Sequence, residues 1–497
     1  MQKQINLSKA KKNRILIGWD DTQTRTRVVP GFVASSSSPR KGRTPVYYDG
    51  DGHLMTIAPT GAGKGTGAII PTLLTYPGPV VVLDPKGENY AVTARRRREM
   101  GQHVIVLDPF AITGANSDTL NPLELVDKND PEAIDVAALL AELIVKPALS
   151  NADPFWDDRA RQLVTALCLH VAISRPPVLR NLSEVRYLLN QGKEDLKFTI
   201  KEMQKSPNAD VNQAASIINN PADKTVSSIL STAQNQVDFV RGTQVPAAMS
   251  MTSFDLDGLR RGDAMTIYLI LPPERLDTHS QLLRLWIGIF INTILKRRHK
   301  CTQNTLFIID EAAQLGRLNE LQRALTLMRG YGLLTWTFWQ DLSQLKSTYP
   351  NNWESLFNNC QVHTTFGMTN LNMANKVSDL YGTIDGEAVL DLNRGDQFVQ
   401  LPGQRVKLMR RPNYMTDAMF EGSFDKNPFF QPMDEKKSRH NTSHQKRGHP
   451  PAASGAEALD YQVSQWLKEE KEEIKEVALG NKYGTSKERS VLSEANS

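Results

Sequence analysis

The stretch Leu54-Met55-Thr56-Ile57-Ala58-Pro59-Thr60-Gly61-Ala62-Gly63-Lys64-Gly65-Thr66 decides the fold. It opens as a short apolar strand, passes through a glycine-rich turn, and leads into a helix that carries apolar residues from Ala68 to Leu74. Glycines let successive backbone N–H groups turn inward as a nest for phosphate oxygens, and the helix N-terminus that follows adds its dipole. Thr60, Gly61, Ala62, Gly63, Lys64, Gly65 and Thr66 are therefore the expected phosphate-binding residues, with Lys64 reaching the β- and γ-phosphates. The general pattern places Gly first and Ser or Thr directly after the lysine. Here Ala58 and Gly65 occupy those places, which leaves Thr66 as the nearest hydroxyl for a magnesium ion. Taken alone, the loop also admits a plain glycine turn that binds no nucleotide.

Outward from this loop the same alternation repeats. Val80-Val81-Val82-Leu83 ends in Asp84-Pro85, a polar helix follows, and Val104-Ile105-Val106-Leu107 ends in Asp108-Pro109. Short β-branched runs alternating with helices predict a mainly parallel sheet with helices on both faces. From about residue 131 to 244 the strand signal disappears and apolar residues fall at helical spacing over 134–144, 159–171 and 211–240. Strands resume at 265–271 and 305–309. The expected organisation is one α/β nucleotide-binding domain in two segments, 48–130 and 248–425, interrupted by an all-α insertion at 131–247. A polar, basic lead-in over 1–47 is expected as a tether or a short edge element. The stretch 426–497 reads as a polar, flexible tail with a basic cluster (Lys436, Lys437, Arg439, Lys446, Arg447) and one charged helix at 456–477.

The second half of the site is Leu306-Phe307-Ile308-Ile309-Asp310-Glu311, an apolar strand ending in two carboxylates. Beside a phosphate loop, Asp310 is expected to hold Mg²⁺ through water, and Glu311 to polarise the attacking water. Such pairs are common by chance, and it is the order of the motifs, each closing a predicted strand, that gives this one weight. Leu333-Leu334-Thr335-Trp336-Thr337-Phe338-Trp339 reads as one more buried strand, with Gln340 at its exit, placed to feel a γ-phosphate. Arg317, Arg323 and Arg329 lie between the acids and that strand. Any one of them could be a solvated helix arginine or a finger reaching a neighbouring subunit's nucleotide.

Composition excludes several classes. The 497 residues are 40% hydrophobic and 23% charged, ordinary for a folded globular chain. Mean hydropathy is −0.40, and no apolar run approaches the roughly 18–20 residues of a membrane span. Cys168, Cys301 and Cys360 are far apart and odd in number, which fits a reducing compartment rather than a disulfide framework or a metal site. A net charge of +5 and a pI near 8.9 give only a weak sign of polyanion binding. Arg95-Arg96-Arg97-Arg98 sits on a predicted helix, either as a solvated face or as part of a surface contacting DNA phosphates.

Several stretches together resemble one family. The loop from Ala58 to Gly65, the run Val82-Leu83-Asp84-Pro85-Lys86-Gly87-Glu88, Asn121-Pro122-Leu123 and the helix opening Phe155-Trp156 look like type IV secretion coupling proteins of the TraG/TraD type. So do Asp310-Glu311-Ala312, the run Gln340-Asp341-Leu342-Ser343-Gln344-Leu345, and Asn358-Asn359-Cys360. The Lys-Gly ending of the phosphate loop is usual there. The resemblance implies a RecA-like P-loop ATPase domain with an inserted all-α domain, using ATP and Mg²⁺ and working as a homo-hexameric ring. It implies Lys64 and Thr66 on phosphate, Asp310 and Glu311 on metal and water, Gln340 as γ-phosphate sensor, and Arg329, in Met328-Arg329-Gly330-Tyr331-Gly332, as the finger.

Such proteins hand relaxase-bound DNA to a secretion channel, so the expected partners are DNA, the relaxase or relaxosome, and the channel's ATPases and inner-membrane components. The expected location is cytoplasmic, with recruitment to the cytoplasmic face of the inner membrane by partners, because no transmembrane segment is found in this chain. Two alternatives are a motor for protein effectors and a nucleotide-switched adaptor that docks cargo without sustained hydrolysis.

Overall fold

The computed structural model describes residues 14–20, 43–146, 154–217, 219, 224–327 and 329–429. Its strands are β1 (Ile15–Asp20), β2 (Thr44–Tyr48), β3 (His53–Ile57), β4 (Val80–Leu83), β5 (His103–Leu107), β6 (Met265–Leu269), β7 (Thr305–Ile309), β8 (Leu333–Trp339), β9 (Cys360–Thr365), β10 (Asp396–Gln400) and β11 (Lys407–Arg410). They form a single sheet in the order β2-β1-β11-β10-β9-β3-β8-β7-β4-β6-β5. From β9 to β5 every pairing is parallel, as the alternation of runs and helices predicted. The remaining pairings, from β2 to β9, are antiparallel.

The parallel strands β4 to β7 are apolar at nearly every position because both faces are covered. Val81 and Leu83 pack into one core and Val80 and Val82 into the other, and Phe307/Ile309 and Leu306/Ile308 divide in the same way. The antiparallel wing was not expected in this form. Of the stretch read as a lead-in, the described residues supply β1 and most of β2, and Ile15, Leu16 and Ile17 are buried, so these residues form an edge element tied into the core.

Between β5 and β6 the described residues contain helices and no strand: Ala133–Ile144, Phe155–Ser174, Leu182–Leu189, Lys193–Gln204, Ala209–Ile217, Lys224–Val237, Gln244–Ala248 and Asp257–Arg261. Asn121 fastens the start of this block. Its side chain accepts from Leu123 N–H at 3.0 Å and donates to the carbonyls of Arg180 at 2.8 Å and Ser250 at 3.2 Å. One amide thereby joins three chain segments, which accounts for an Asn-Pro-Leu triplet at the exit from the sheet. The long helix Pro273–Leu295 opens on proline, suited to a first helical turn, and packs against Ala133–Ile144 at Gly288, where a Cβ would collide with Leu143.

The four-arginine run divides by depth. Arg97 is fully buried, and its guanidinium donates to Thr266 Oγ1 at 2.8 Å and to the carbonyls of Tyr76, Leu73 and Gly78. Arg95 pairs with Asp425 at 2.7 Å and also with Glu99, and Arg96 reaches Glu99. Arg97 is thus a structural clamp, Arg95 and Arg96 are held in ion pairs, and Arg98 is exposed. Among the described residues no helix is long and apolar enough to cross a membrane. The basic cluster and the charged helix of the tail lie outside the described residues, as does most of the expected lead-in.

Candidate functional site

The phosphate loop leaves β3 and turns through Gly61 at φ +77° and Gly63 at φ +90°, a region that a side chain would strain and glycine enters freely. A Cβ at Gly61 or Gly65 would meet nothing within 4 Å, so the loop presents an open backbone cradle. Lys64 is buried, and its Nζ lies 3.3 Å from the Ala58 carbonyl and 3.3 Å from Glu311 Oε1. The helix it enters begins as a π-turn over Gly65–Ile69 and continues as Ile70–Thr75. Thr66 sits in that first turn, half-buried.

β7 delivers the two acids. Asp310 is half-buried, and desolvation raises its carboxyl to about 6, with Lys64 opposing and Glu311 reinforcing the shift. Glu311 adopts φ +53° and ψ +50°, a left-handed conformation uncommon outside glycine, and its own N–H is held by Asp310 Oδ1 at 3.1 Å. That turn aims the carboxylate across the crevice. Oε1 meets Lys64, and Oε2 accepts from Gln340 Nε2 at 2.7 Å. Backbone strain of this kind costs about 1–3 kcal/mol and persists where the surroundings enforce it. Gln340 leaves β8, the strand between β3 and β7, and its backbone N–H donates to Gln344 Oε1 at 3.0 Å.

Thus Lys64, Asp310, Glu311 and Gln340, far apart in sequence, meet at the carboxyl ends of three neighbouring strands, where open α/β sheets bind ligands. Asp84, the strand exit of the second family run, joins them from β4. Burial raises its carboxyl to about 7, Asp310 contributes to the shift, and Asp84 accepts from Tyr90 N–H at 2.8 Å. Of the three arginines weighed as a finger, the two whose side chains are described make no contact with these groups. Arg317 is exposed, and Arg323 pairs with Glu320 at 2.6 Å. Arg329 opens a short 3-10 turn, and its side chain lies outside the described part of the structure. A residue the motifs did not single out, Arg411, donates through Nη1 to the Ala62 carbonyl at 2.6 Å. No local pattern marks it, because its partner is 349 positions away in the chain.

Residues 7–389 match the family model described as Type IV secretory system Conjugative DNA transfer. The chain is 28% identical over 345 residues to a type IV secretion system-coupling protein VirD4 of Bartonella quintana, covering 68% of this chain and 54% of the relative. It is 29% identical over 318 residues to a conjugal transfer protein TraG of Agrobacterium fabrum, covering 62% of this chain and 48% of that protein. The chain therefore spans about half the length of these curated relatives. Among solved structures, the bacterial conjugative coupling protein TrwB superposes with a TM-score of 0.58 at 15% identity, covering 73% of this chain and 86% of that one. The same protein has been solved in complex with ADP and Mg²⁺, with a TM-score of 0.58, 16% identity, and coverage of 73% and 85%. The shared architecture is the RecA-type α/β fold that the motifs implied. With more than half of its length matched, the chain belongs to the family of type IV secretory system conjugative DNA transfer proteins.

Proposed function

We propose that this protein is a P-loop ATPase that couples ATP hydrolysis to the movement of DNA toward a type IV secretion channel. The observation that carries the reading is the side-chain row Lys64–Glu311–Gln340 at the mouth of an open glycine cradle. The residues fit ATP with Mg²⁺: positive-φ glycines turn amides inward, a lysine stands at the loop's end, and two carboxylates face it. Magnesium bound with the nucleotide would supply neutralisation of the phosphate charge.

In this reading the backbone from Thr60 to Thr66 cradles the phosphates, and Lys64 exchanges Glu311 for the β- and γ-oxygens. Thr66 and Asp310 are the residues that hold the magnesium, the latter through water. Glu311 then takes the proton of the attacking water, and Gln340 orients that water while reading the γ-phosphate. Arg329 acts in trans as the finger within a ring of six copies. The nucleotide-binding unit is 48–130 and 248–425, extended by β1 and β2, and 131–247 is an inserted helical unit. The partners are DNA bound without sequence preference, its relaxase, and the channel's ATPases and inner-membrane components, met at the cytoplasmic face of the membrane. The family's description as DNA transfer proteins favours DNA over protein cargo.

The test is ATP turnover by the full chain with and without single-stranded DNA, with Lys64→Ala as the control. Turnover stimulated by DNA and abolished by Lys64→Ala is the expected result. Turnover that ignores DNA would remove the DNA-motor reading, and normal turnover in Lys64→Ala would remove the phosphate-loop assignment.

A further inference from the structure

Arg411 follows β11 directly, on the antiparallel wing, yet its side chain is committed to the phosphate loop. Nη1 donates to the Ala62 carbonyl at 2.6 Å and Nη2 to the Arg394 carbonyl at 2.6 Å. Its guanidinium carbon stands 4.1 Å over the centre of the Phe366 ring, and Phe366 is itself buried at the exit of β9. Its backbone N–H donates to the Gly395 carbonyl at 2.8 Å. A planar cation held by two carbonyls in a fork and stacked on an aromatic face is fixed in both position and orientation.

The surrounding glycines are shaped to this side chain. A Cβ on Gly67 would lie 2.8 Å from Arg411 Cδ and 3.0 Å from its Cγ and Nε, and one on Gly63 would lie 3.6 Å from both terminal nitrogens. At Gly367, φ +71°, a Cβ would press on Ala62 Cβ at 2.6 Å. The loop is thus gripped on a flank distinct from the one where Lys64 meets Ala58 and Glu311.

In a planar trans peptide the C=O and the following N–H point in opposite directions. Holding the Ala62 carbonyl toward Arg411 therefore turns the Gly63 N–H the other way. We propose that Arg411 is a positioning residue for the phosphate loop: by fixing the Ala62 carbonyl on the wing side, it keeps the Gly63 amide turned into the nest that receives nucleotide phosphate. The inference rests on the nucleotide reading of the site and deepens it. It gives the antiparallel wing a part in ligand binding and predicts that loss of Arg411 acts on affinity rather than on the chemical step.

The experiment uses the full chain as wild type, Arg411→Ala, Arg411→Lys, Gly67→Ala and the Arg411→Ala/Gly67→Ala double variant. Binding of a fluorescent ATP analogue, steady-state kcat and KM for ATP, and thermal melting are measured on each. Arg411→Ala is expected to raise Kd and KM by about 10- to 100-fold, the span of one charge-assisted hydrogen bond, with kcat within about threefold of wild type. Arg411→Lys should fall between, since an ammonium does not reproduce the planar fork. Gly67→Ala, whose added methyl displaces the arginine side chain, should weaken binding by itself and cost nothing further in the Arg411→Ala background.

An unchanged Kd in Arg411→Ala, a fall in kcat at constant KM, or an equal cost of Gly67→Ala in both backgrounds would each overturn the proposal. Should Arg411→Ala fail to fold, Arg411→Lys and Gly67→Ala carry the same test, and unchanged affinity in both overturns it. Wild-type protein that binds no nucleotide would instead refute the nucleotide reading itself, and the inference with it.

Discussion

Glu311→Gln is expected to separate nucleotide binding from chemistry in the proposed site. The substitution keeps the shape and the contact with Gln340 but removes the charge that Lys64 meets. At the observed 3.3 Å, an ion pair at an effective dielectric of 20 is worth about 5 kcal/mol of Coulomb attraction. Desolvation of both partners reduces the net contribution to about 1.5–3 kcal/mol, the range of hydrogen bonds to charged groups. In the proposed mechanism Lys64 gives up this pair to reach a phosphate, so removing the charge should tighten ATP binding by about 10- to 100-fold. The same change removes the group that, in the proposed mechanism, takes the proton from water, a contribution of about 10²–10⁴ in rate. The expected variant therefore binds ATP more tightly than wild type and hydrolyses it at least about a hundredfold more slowly. Stopped-flow binding of a fluorescent ATP analogue gives the first quantity, and single-turnover hydrolysis of radiolabelled ATP gives the second. Binding weaker than wild type would show that Glu311 does not compete for Lys64. Hydrolysis within about threefold of wild type would show that another group handles the water.

Burial lifts the Asp84 carboxyl from 3.8 to about 7, so between those values the folded chain holds a proton that the unfolded chain has released. That contribution to stability is complete below about pH 4 and lost as the pH rises to about 7. Asp84→Asn, whose amide oxygen still accepts from Tyr90 N–H, should raise the melting midpoint at pH 8 by about 5 °C and leave it unchanged at pH 4. Equal shifts at both pH values would discard the account. Arg97→Ala strands the carbonyls of Tyr76, Leu73 and Gly78 and should cost about 3–5 kcal/mol in urea unfolding while leaving DNA affinity of the folded protein unchanged. A loss below about 1 kcal/mol would mean the clamp is replaceable by water. For the finger, mixing Arg329→Ala with Lys64→Ala subunits should restore part of the ATPase activity that each lacks, because some interfaces then pair an intact loop with an intact arginine. No rescue at any mixing ratio would count against a finger supplied in trans.

The parallel half of the sheet was readable because its strands are buried on both faces and appear as unbroken apolar runs, as in Val80-Val81-Val82-Leu83. The antiparallel wing was not. β9, which joins the wing to the parallel strands, is mostly polar as Cys360-Gln361-Val362-His363-Thr364-Thr365, and β11 is the four-residue Lys407-Leu408-Met409-Arg410. Strands this short and polar form because partners elsewhere complete their ladders, which is a tertiary fact. Within the site, the positions of Lys64, Asp310 and Glu311 followed from motif and strand exit. The turn that aims Glu311 did not, because a positive φ at a glutamate has no signature in composition. Arg97 and Arg98 are indistinguishable in sequence, yet one is sealed in the core and the other is exposed, since only the helix phase against β6 separates them.

Gln340, at the end of β8, is tied to more than the crevice. Its side chain donates to Glu311, while its backbone N–H is held by Gln344, one turn into the helix Leu342–Thr348 that Asp341 caps at 2.8 Å. That helix ends at Tyr349, whose hydroxyl bonds to the backbone of Leu318 in the segment that follows the acids. On the same segment Arg284, nearly fully buried in Pro273–Leu295, donates to the carbonyls of Leu315 at 2.8 Å and Arg317 at 2.6 Å. Pro273–Leu295 in turn packs at Gly288 on Ala133–Ile144, the first helix of the block between β5 and β6. An unbroken line of hydrogen bonds and packed helices thus runs from the carboxylate to the helical block. Contiguity alone transmits nothing, because coupling needs an element with two arrangements. Under the proposed nucleotide reading that element is the Glu311 carboxylate, which contacts both Lys64 and Gln340 and loses the first contact when Lys64 turns to a phosphate.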